Sequence, residues 1–326
     1  MNRKSLIQEV VLQETAHPHK VLVAVDGSEQ SLRAIRYTAN VFPPDRTHVV
    51  LFHIQAQLFE LFSDLDPYPH YKRRVTGLKH WATEQKKDIS NTMDSAVVYF
   101  RQRGFSESSI TVKTPARKES VSQDIINESY DGYHALVVGS TGWSRFKDWL
   151  IKSTALRLVA KIKHVPVVVV GGNPDAKNLL VAFDGTHGSM KGVVCVGALI
   201  GASGHDLQLY SIIGSGKKFW PGDTAYFTID NCVSRIVTGN LEIGPQLEEA
   251  RTRLLTEGIP TDRISLKIHA VDRDRATHIV EEAKGNNFGS IVVGRRGLIT
   301  FFDEYFVGRI SSQVLKLADQ LAVWVI

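Results

Sequence analysis

The chain repeats itself, and the length of the repeat decides most of what it can fold into. Leu22-Val-Ala-Val-Asp-Gly-Ser28 is answered by Leu180-Val-Ala-Phe-Asp-Gly-Thr186, and Ala135-Leu-Val-Val-Gly-Ser-Thr-Gly142 by Ser290-Ile-Val-Val-Gly-Arg-Arg-Gly297. Asp26 and Asp184 stand 158 residues apart, Gly139 and Gly294 155 apart, so two independent landmarks share nearly one offset. Solenoid units run about 20–50 residues. Each copy is therefore a domain, and 326 residues are long for one compact core and comfortable for two.

Each Asp-Gly landmark is an apolar run followed by a tight turn and a hydroxyl residue, which predicts a buried strand, a turn and a helix N-cap. Helical spacing follows: Leu32, Ile35 and Ala39 in the first copy, Met190, Val193 and Val194 in the second. Strands are predicted at 20–25, 48–54, 110–113, 135–138 and 166–170, then at 179–183, 207–212, 264–268, 291–293 and 322–326. A long helix is predicted around 78–100. Apolar faces over Ala155, Leu158, Val159 and Ile162, and over Ile310, Val314, Leu317 and Leu321, predict core helices. Strands alternating with helices imply a parallel sheet covered on both faces. The expected fold class is α/β, with two doubly wound, flavodoxin-like, five-stranded domains in tandem. A leader at 1–18 precedes domains at 19–173 and 174–326, joined at Gly171-Gly-Asn-Pro174.

The last strand of each copy is strongly apolar, and an exposed apolar edge is a pairing hazard. The insertion Gln55–Arg74, with Leu58, Phe59, Leu61, Phe62 and Leu65, is expected to cover the crevice or join the halves. Phe219–Phe227 is its expected counterpart.

Composition removes several classes. Hydrophobic residues at 43% and charged residues at 22% describe an ordinary globular protein. No apolar run approaches the roughly 20 residues of a membrane span, and no signal peptide is read at the start. Cys195 and Cys232 lack metal-ligand spacing and read as reduced thiols of a cytoplasmic protein. A net charge of +5 is spread among 34 acidic residues, which speaks against a nucleic-acid surface. Gly214-Ser-Gly-Lys-Lys218 fails as a P-loop because 211 is Ser and 218 is Lys. No nucleophile elbow or paired metal-binding histidines occur. His53 reads as a rim or core histidine, His187 could reach a ligand after Gly185-Thr186, and Trp143 and Trp149 read as packing over the first glycine loop.

In a doubly wound sheet, ligands sit beyond the strand carboxyl ends where strand order reverses. If the first and fourth strands of a copy are central neighbours, Asp26 and Gly139 open into one crevice, as do Asp184 and Gly294. Glycine admits close backbone approach, and a following helix N-terminus attracts anions. The same pattern also serves a plain strand-to-helix turn.

On these residues the sequence resembles the universal stress protein family across both halves. The family signature is Gly-x-x-Gly, nine residues, then Gly-Ser or Gly-Thr, with an Asp at the end of the first strand. The first half matches with Asp26, Gly139, Gly142 and Ser153, and Lys152 replaces a glycine. The second matches with Asp184, Gly294, Gly297 and Gly308 after ten residues, and Arg309 replaces the hydroxyl residue.

The resemblance implies ATP or a related adenine nucleotide, with or without Mg. Asp26 or Asp184 would contact the adenosine part, Ile54 or Ile212 the adenine through backbone, and the glycines, Lys152, Ser153 and Arg309 the phosphates. Arg295, Arg296 and Arg309 favour anion binding in the second half, whereas the exact family spacing favours the first. The resemblance also implies pairing through the last strands, hence an intrachain pseudo-dimer, and a cytoplasmic stress-response module read by a protein partner. A scaffold with degenerate sites is the alternative, favoured by Lys152 and Arg309. A slow ATP hydrolase comes last, because no convincing base stands near the loops. Neither nucleic acid nor membrane is expected as partner.

Overall fold

The computed structural model describes residues 18–55, 72–140, 154–172, 178–201, 203–214, 224–228, 243–271, 274–295 and 309–326. The first half contains β1 (His19–Ala24), α1 (Glu29–Val41), β2 (Thr47–Phe52), α2 (Lys72–Gln102) and β3 (Ile110–Lys113). It continues with α3 (Val121–Glu128), β4 (Ala135–Gly139), α4 (Thr154–Lys161) and β5 (Val167–Val170). The second contains β6 (Leu179–Ala182), α5 (His187–Ile200), β7 (Leu207–Ile213), β8 (Thr224–Thr228) and α6 (Gly244–Thr256). It ends with β9 (Ile264–Ala270), α7 (Arg275–Gly285), β10 (Ser290–Val293), α8 (Arg309–Leu317) and β11 (Ala322–Val325).

These strands form one sheet in the order β3-β2-β1-β4-β5-β11-β10-β6-β7-β9-β8. Within each half the five repeated strands are parallel. The halves meet where β5 pairs antiparallel with β11, Val168 opposite Trp324. Two apolar strand edges thus cover one another, which is the expected pseudo-dimer.

Alternate strand residues face opposite sides because the side-chain period is two. Val21 and Val23 join Ala34, Met93, Val193 and Leu247 in one core layer; Leu22 joins Ile125, Leu158, Ile279 and Val314 in the other. Both layers run across the two halves, so the wall between the domains is core rather than linker. Tyr37 of α1 reaches across it: its hydroxyl lies 2.7 Å from Ser290 Oγ and accepts from Trp324 Nε1 at 2.6 Å. Phe42 stacks on Trp324 at 5.4 Å between ring centroids.

Three expectations change. The second half has a sixth strand, β8, antiparallel to β9. The chain at 224–228, expected to belong to a covering excursion, is therefore an edge strand; Thr, Tyr and Phe suit a pleated surface, and β9 offers it a seven-residue edge. Val194 and Leu317, expected in apolar faces, are exposed at 38% and 42%. Leu315 is buried in place of Leu317, because the face of α8 turned to the sheet runs through Val314, Leu315 and Ala318. Residues 56–71 of the insertion, and 173–177 around the expected boundary, lie outside the described residues.

Candidate functional site

The strand order reverses between β1 and β4 and again between β6 and β10, because the next strands in sequence, β2 and β7, lie on the other side. Both Asp-Gly landmarks stand at these switch points. Gly27 and Gly185 have φ of +80° and +73°, a left-handed turn that side chains rarely adopt. Past the turn, Ser28 accepts from the Ser31 N–H at 3.2 Å and starts α1; Thr186 accepts from the Ser189 N–H at 3.4 Å and starts α5. The same hydroxyls donate to the aspartates, Ser28 to Asp26 Oδ1 at 2.5 Å and Thr186 to Asp184 Oδ1 at 2.6 Å. Burial raises the Asp26 carboxyl, but the hydrogen bonds from Ser28 and Ser31 outweigh it and hold it below the usual carboxylate range.

The first glycine of each Gly-x-x-Gly has a packing reason of its own. A Cβ at Gly139 would lie 2.4 Å from the Gln30 carbonyl oxygen, and one at Gly294 would lie 2.5 Å from the Gly188 carbonyl carbon. Each therefore seats the start of α1 or α5 directly on the end of a central strand. In the first half, Asp26, Ile54 and Gly139 are brought to the same end of the sheet. The Ile54 side chain is buried in the core. His53 is half-buried, with Nδ1 2.8 Å from the Val25 carbonyl oxygen. Gly142, Lys152, Ser153, Trp143 and Trp149 lie outside the described residues.

In the second half the switch point opens into a cavity of about 630 Å³. It is lined by Ala182 and Val293 at the ends of β6 and β10, by Tyr210 and Ile212 of β7, and by Asp184. Three helices begin at it: Gly188 and Ser189 of α5, Arg275 and Ala276 of α7, Ile310 and Ser311 of α8. Gly294 and Arg295 also line it. Gly297 and Gly308 lie outside the described residues; Arg309 is the first residue of α8. The exposed His187 is not part of the lining.

Two features of this cavity, Asp274 and Tyr210, escaped the sequence reading as site features; Arg295 was read there as favouring an anion. Asp274 lines it in a left-handed conformation, φ 52°, and makes no side-chain cap to α7. Its first-half equivalent Ser120 does cap α3, accepting from the Gln123 N–H at 3.2 Å. Tyr210 carries a hydroxyl 2.9 Å from His269 Nδ1, where the first half has Phe52. Arg295 has buried Nε and Nη2 atoms with no hydrogen-bond partner among the described residues. Burial pushes its guanidinium down to about 10, so it stays cationic at neutral pH. The Asp-Gly and Val-Val-Gly repeats pointed at the location; Arg275, which converges there from α7, is 91 residues downstream of Asp184.

Fold and cavity together define a tandem, doubly wound α/β protein with a ligand crevice at its switch point. Residues 18–171 match the model of the Universal stress protein family, so the first half of the chain is a domain of that family. A universal stress protein from Archaeoglobus fulgidus DSM 4304 is similar along 95% of this chain and 96% of its own, with 17% identity and a TM-score of 0.59. A candidate universal stress protein from Pseudomonas aeruginosa UCBPP-PA14 is similar along 95% of this chain and 93% of its own, with 13% identity and a TM-score of 0.50. At these identities the likeness is one of fold. No curated protein matches the chain in sequence. Among the described residues no helix is long and apolar enough to cross a membrane.

Proposed function

We propose that the chain is a nucleotide-binding stress-response module, cytoplasmic, with its ligand in the second-half cavity and domains dividing at 19–173 and 174–326. The observation that carries this reading is the cavity at the β6–β10 switch point on which three helix N-termini converge. Helix starts present unpaired N–H groups and the positive end of the helix dipole, which suit a phosphate. A volume of about 630 Å³ lies within the range of small-molecule sites. Arg295 is among the lining residues and adds a cation to them, which suits an anionic ligand.

Adenine nucleotide, ATP above all, is the ligand that the likeness of both halves to the Universal stress protein family favours. Asp184 would accept from ribose hydroxyls, Ile212 would lie along the base, and Ser189 and Ser311 would donate toward phosphate. Nothing in this assignment requires hydrolysis; binding itself would be the signal that a protein partner reads.

Calorimetric titration of the full chain with Mg-ATP tests the reading, repeated on Asp184→Ala and Asp26→Ala. Saturable binding that Asp184→Ala abolishes and Asp26→Ala retains is expected. Absence of both heat and thermal stabilisation at millimolar nucleotide would leave the scaffold reading in front.

A further inference from the structure

We infer that the amino-terminal half of α2, residues 72–88, is a docking arm for an acidic helix of a partner protein, received along a line of three lysines. The second half lacks this arm. Gly104 and Gly258 follow α2 and α6 in the same left-handed conformation, φ +94° and +87°, and stand equally far after Ile89 and Ile243. Each isoleucine meets the glycine of its Asp-Gly turn. A Cβ on Gly27 would lie 2.9 Å from Ile89 Cδ1, and one on Gly185 3.1 Å from Ile243 Cγ1. The second-half helix begins at this level, with Gly244. In the first half α2 begins at Lys72, 17 residues before Ile89, and so runs about 25 Å past the crevice end of the sheet. Residues 83–88 are all exposed, and Met93 is the first buried side chain among those described in α2. Core packing therefore does not account for the length of this helix.

Its charge points to a partner. The chain carries a net charge of +5, and residues 72–88 hold six Lys and Arg against Glu84 and Asp88, a net +4. The matching stretch of the second half, 226–242, holds Arg235 against Asp230 and Glu242, a net −1. Glu84 is engaged within the arm, its Oε1 3.3 Å from His80 Nε2. Lys86 and Lys87 are exposed and form no ion pair among the described residues. A field of this sign attracts carboxylates or phosphates. Spacing selects a helix as the occupant. Positions 72, 79 and 86 are seven apart, so they fall on one line of α2, about 10 Å from one another. Val75, Leu78 and Ala82 hold the positions beside that line. A partner helix with apolar residues at a and d and carboxylates at e or g carries the same repeat. Glu84 and Asp88 fall on the opposite side of α2. A duplex taking α2 into its major groove would press them against phosphate, whereas a helix laid along the lysine line does not meet them.

A partner held here is independent of nucleotide in the second-half cavity, and the test uses none. Fluorescence anisotropy follows the full chain with a labelled peptide of about four heptads, apolar at a and d and Glu at e and g. The same peptide with Lys in place of Glu, and a DNA duplex of about two helical turns, are the competing probes. The Glu peptide is expected to bind saturably, and the Lys peptide at least about tenfold more weakly. Affinity for the Glu peptide falls about tenfold in Lys72→Gln/Lys79→Gln/Lys86→Gln, and falls in the wild type as added salt shortens the Debye length. Gln is a good helix former, so the circular dichroism of the variant stays that of the wild type. Lys118→Gln/Lys163→Gln/Lys191→Gln removes the same charge from exposed positions outside α2 and keeps the wild-type affinity. Equal loss in the two triple variants overturns the proposal, because net charge alone then holds the peptide. A Glu peptide that fails to saturate below about 1 mM, or that the Lys peptide matches, overturns it as well. A duplex bound more tightly than the Glu peptide, and released by the same three arm substitutions, overturns the choice of partner and gives the arm to nucleic acid.

Discussion

The two halves share a strand order but treat the same edge differently. In the first, β3 is four residues long, partly exposed, and has Val112 open to solvent at 43%. In the second, β9 is seven residues long and mostly buried, and β8 pairs along it. A short edge strand can be left to solvent, whereas a long apolar one invites pairing with another chain. One consequence is seen at a repeated ion pair. Lys113–Glu128 and Lys267–Glu282 occupy equivalent positions, each joining the third parallel strand to the helix that follows. Side-chain exposure is 36% and 19% in the first pair but 9% and 7% in the second. β8 runs beside Lys267, Tyr226 opposite it in register. One sequence pattern therefore gives a solvated contact in one half and a buried one in the other.

The sharpest test of this contrast is to remove the lysine from each. Lys267→Met leaves the Glu282 carboxylate buried alone and is expected to cost about 3–5 kcal/mol in urea unfolding. Lys113→Met is expected to cost less than about 1 kcal/mol, because water replaces the partner. Similar losses in both would show that β8 does not alter the environment of the pair.

The next effect concerns what the halves have in common. Gly139→Ala and Gly294→Ala each force a Cβ onto helix-start backbone and should each lower stability by about 2–3 kcal/mol. Denaturant midpoints measured without ligand check this. Unchanged midpoints would mean that these glycines serve a ligand alone.

Tyr37→Phe probes the seam between the halves. It strips the Trp324 Nε1–H of its acceptor and Ser290 of its partner, at an expected cost of about 1–2 kcal/mol. A cooperative single unfolding transition should persist; two separated transitions in calorimetry would show that the halves are energetically independent.

The smallest effect is at Asp26, whose carboxyl is held below its ordinary value in the folded chain. The stabilisation is present above the unfolded value near pH 4 and is lost as pH falls through the lower folded value. Asp26→Asn should cost less than about 1 kcal/mol at neutral pH, because solvent screens the exposed carboxylate, and should flatten the acid limb of the stability curve. A parallel acid limb in wild type and variant would contradict it.

Much of this architecture was legible from particular residues. The duplicated Asp-Gly and Val-Val-Gly motifs located both switch points, and the hydroxyl after each Asp-Gly was readable as a helix cap. Both readings rest on neighbours in sequence, where turn geometry and capping act. Val194 and Leu317 show the limit: apolar residues at helical spacing were read as core, yet a helix is buried over only part of its circumference. β8 was hidden because a five-residue strand with no repeat counterpart exists only if a partner edge is left uncovered.

The sequence alone thus determined the duplication, the α/β class, the central strands and the apolar edges that join the halves, all of them consequences of local pattern. Tertiary structure decided which edges were covered, that Asp274, Arg275 and Ser311 meet Asp184 at one cavity, and that part of the Arg295 guanidinium is buried there. The reason is physical: burial and electrostatic environment depend on every element packed around a residue, and those elements come from distant parts of the chain.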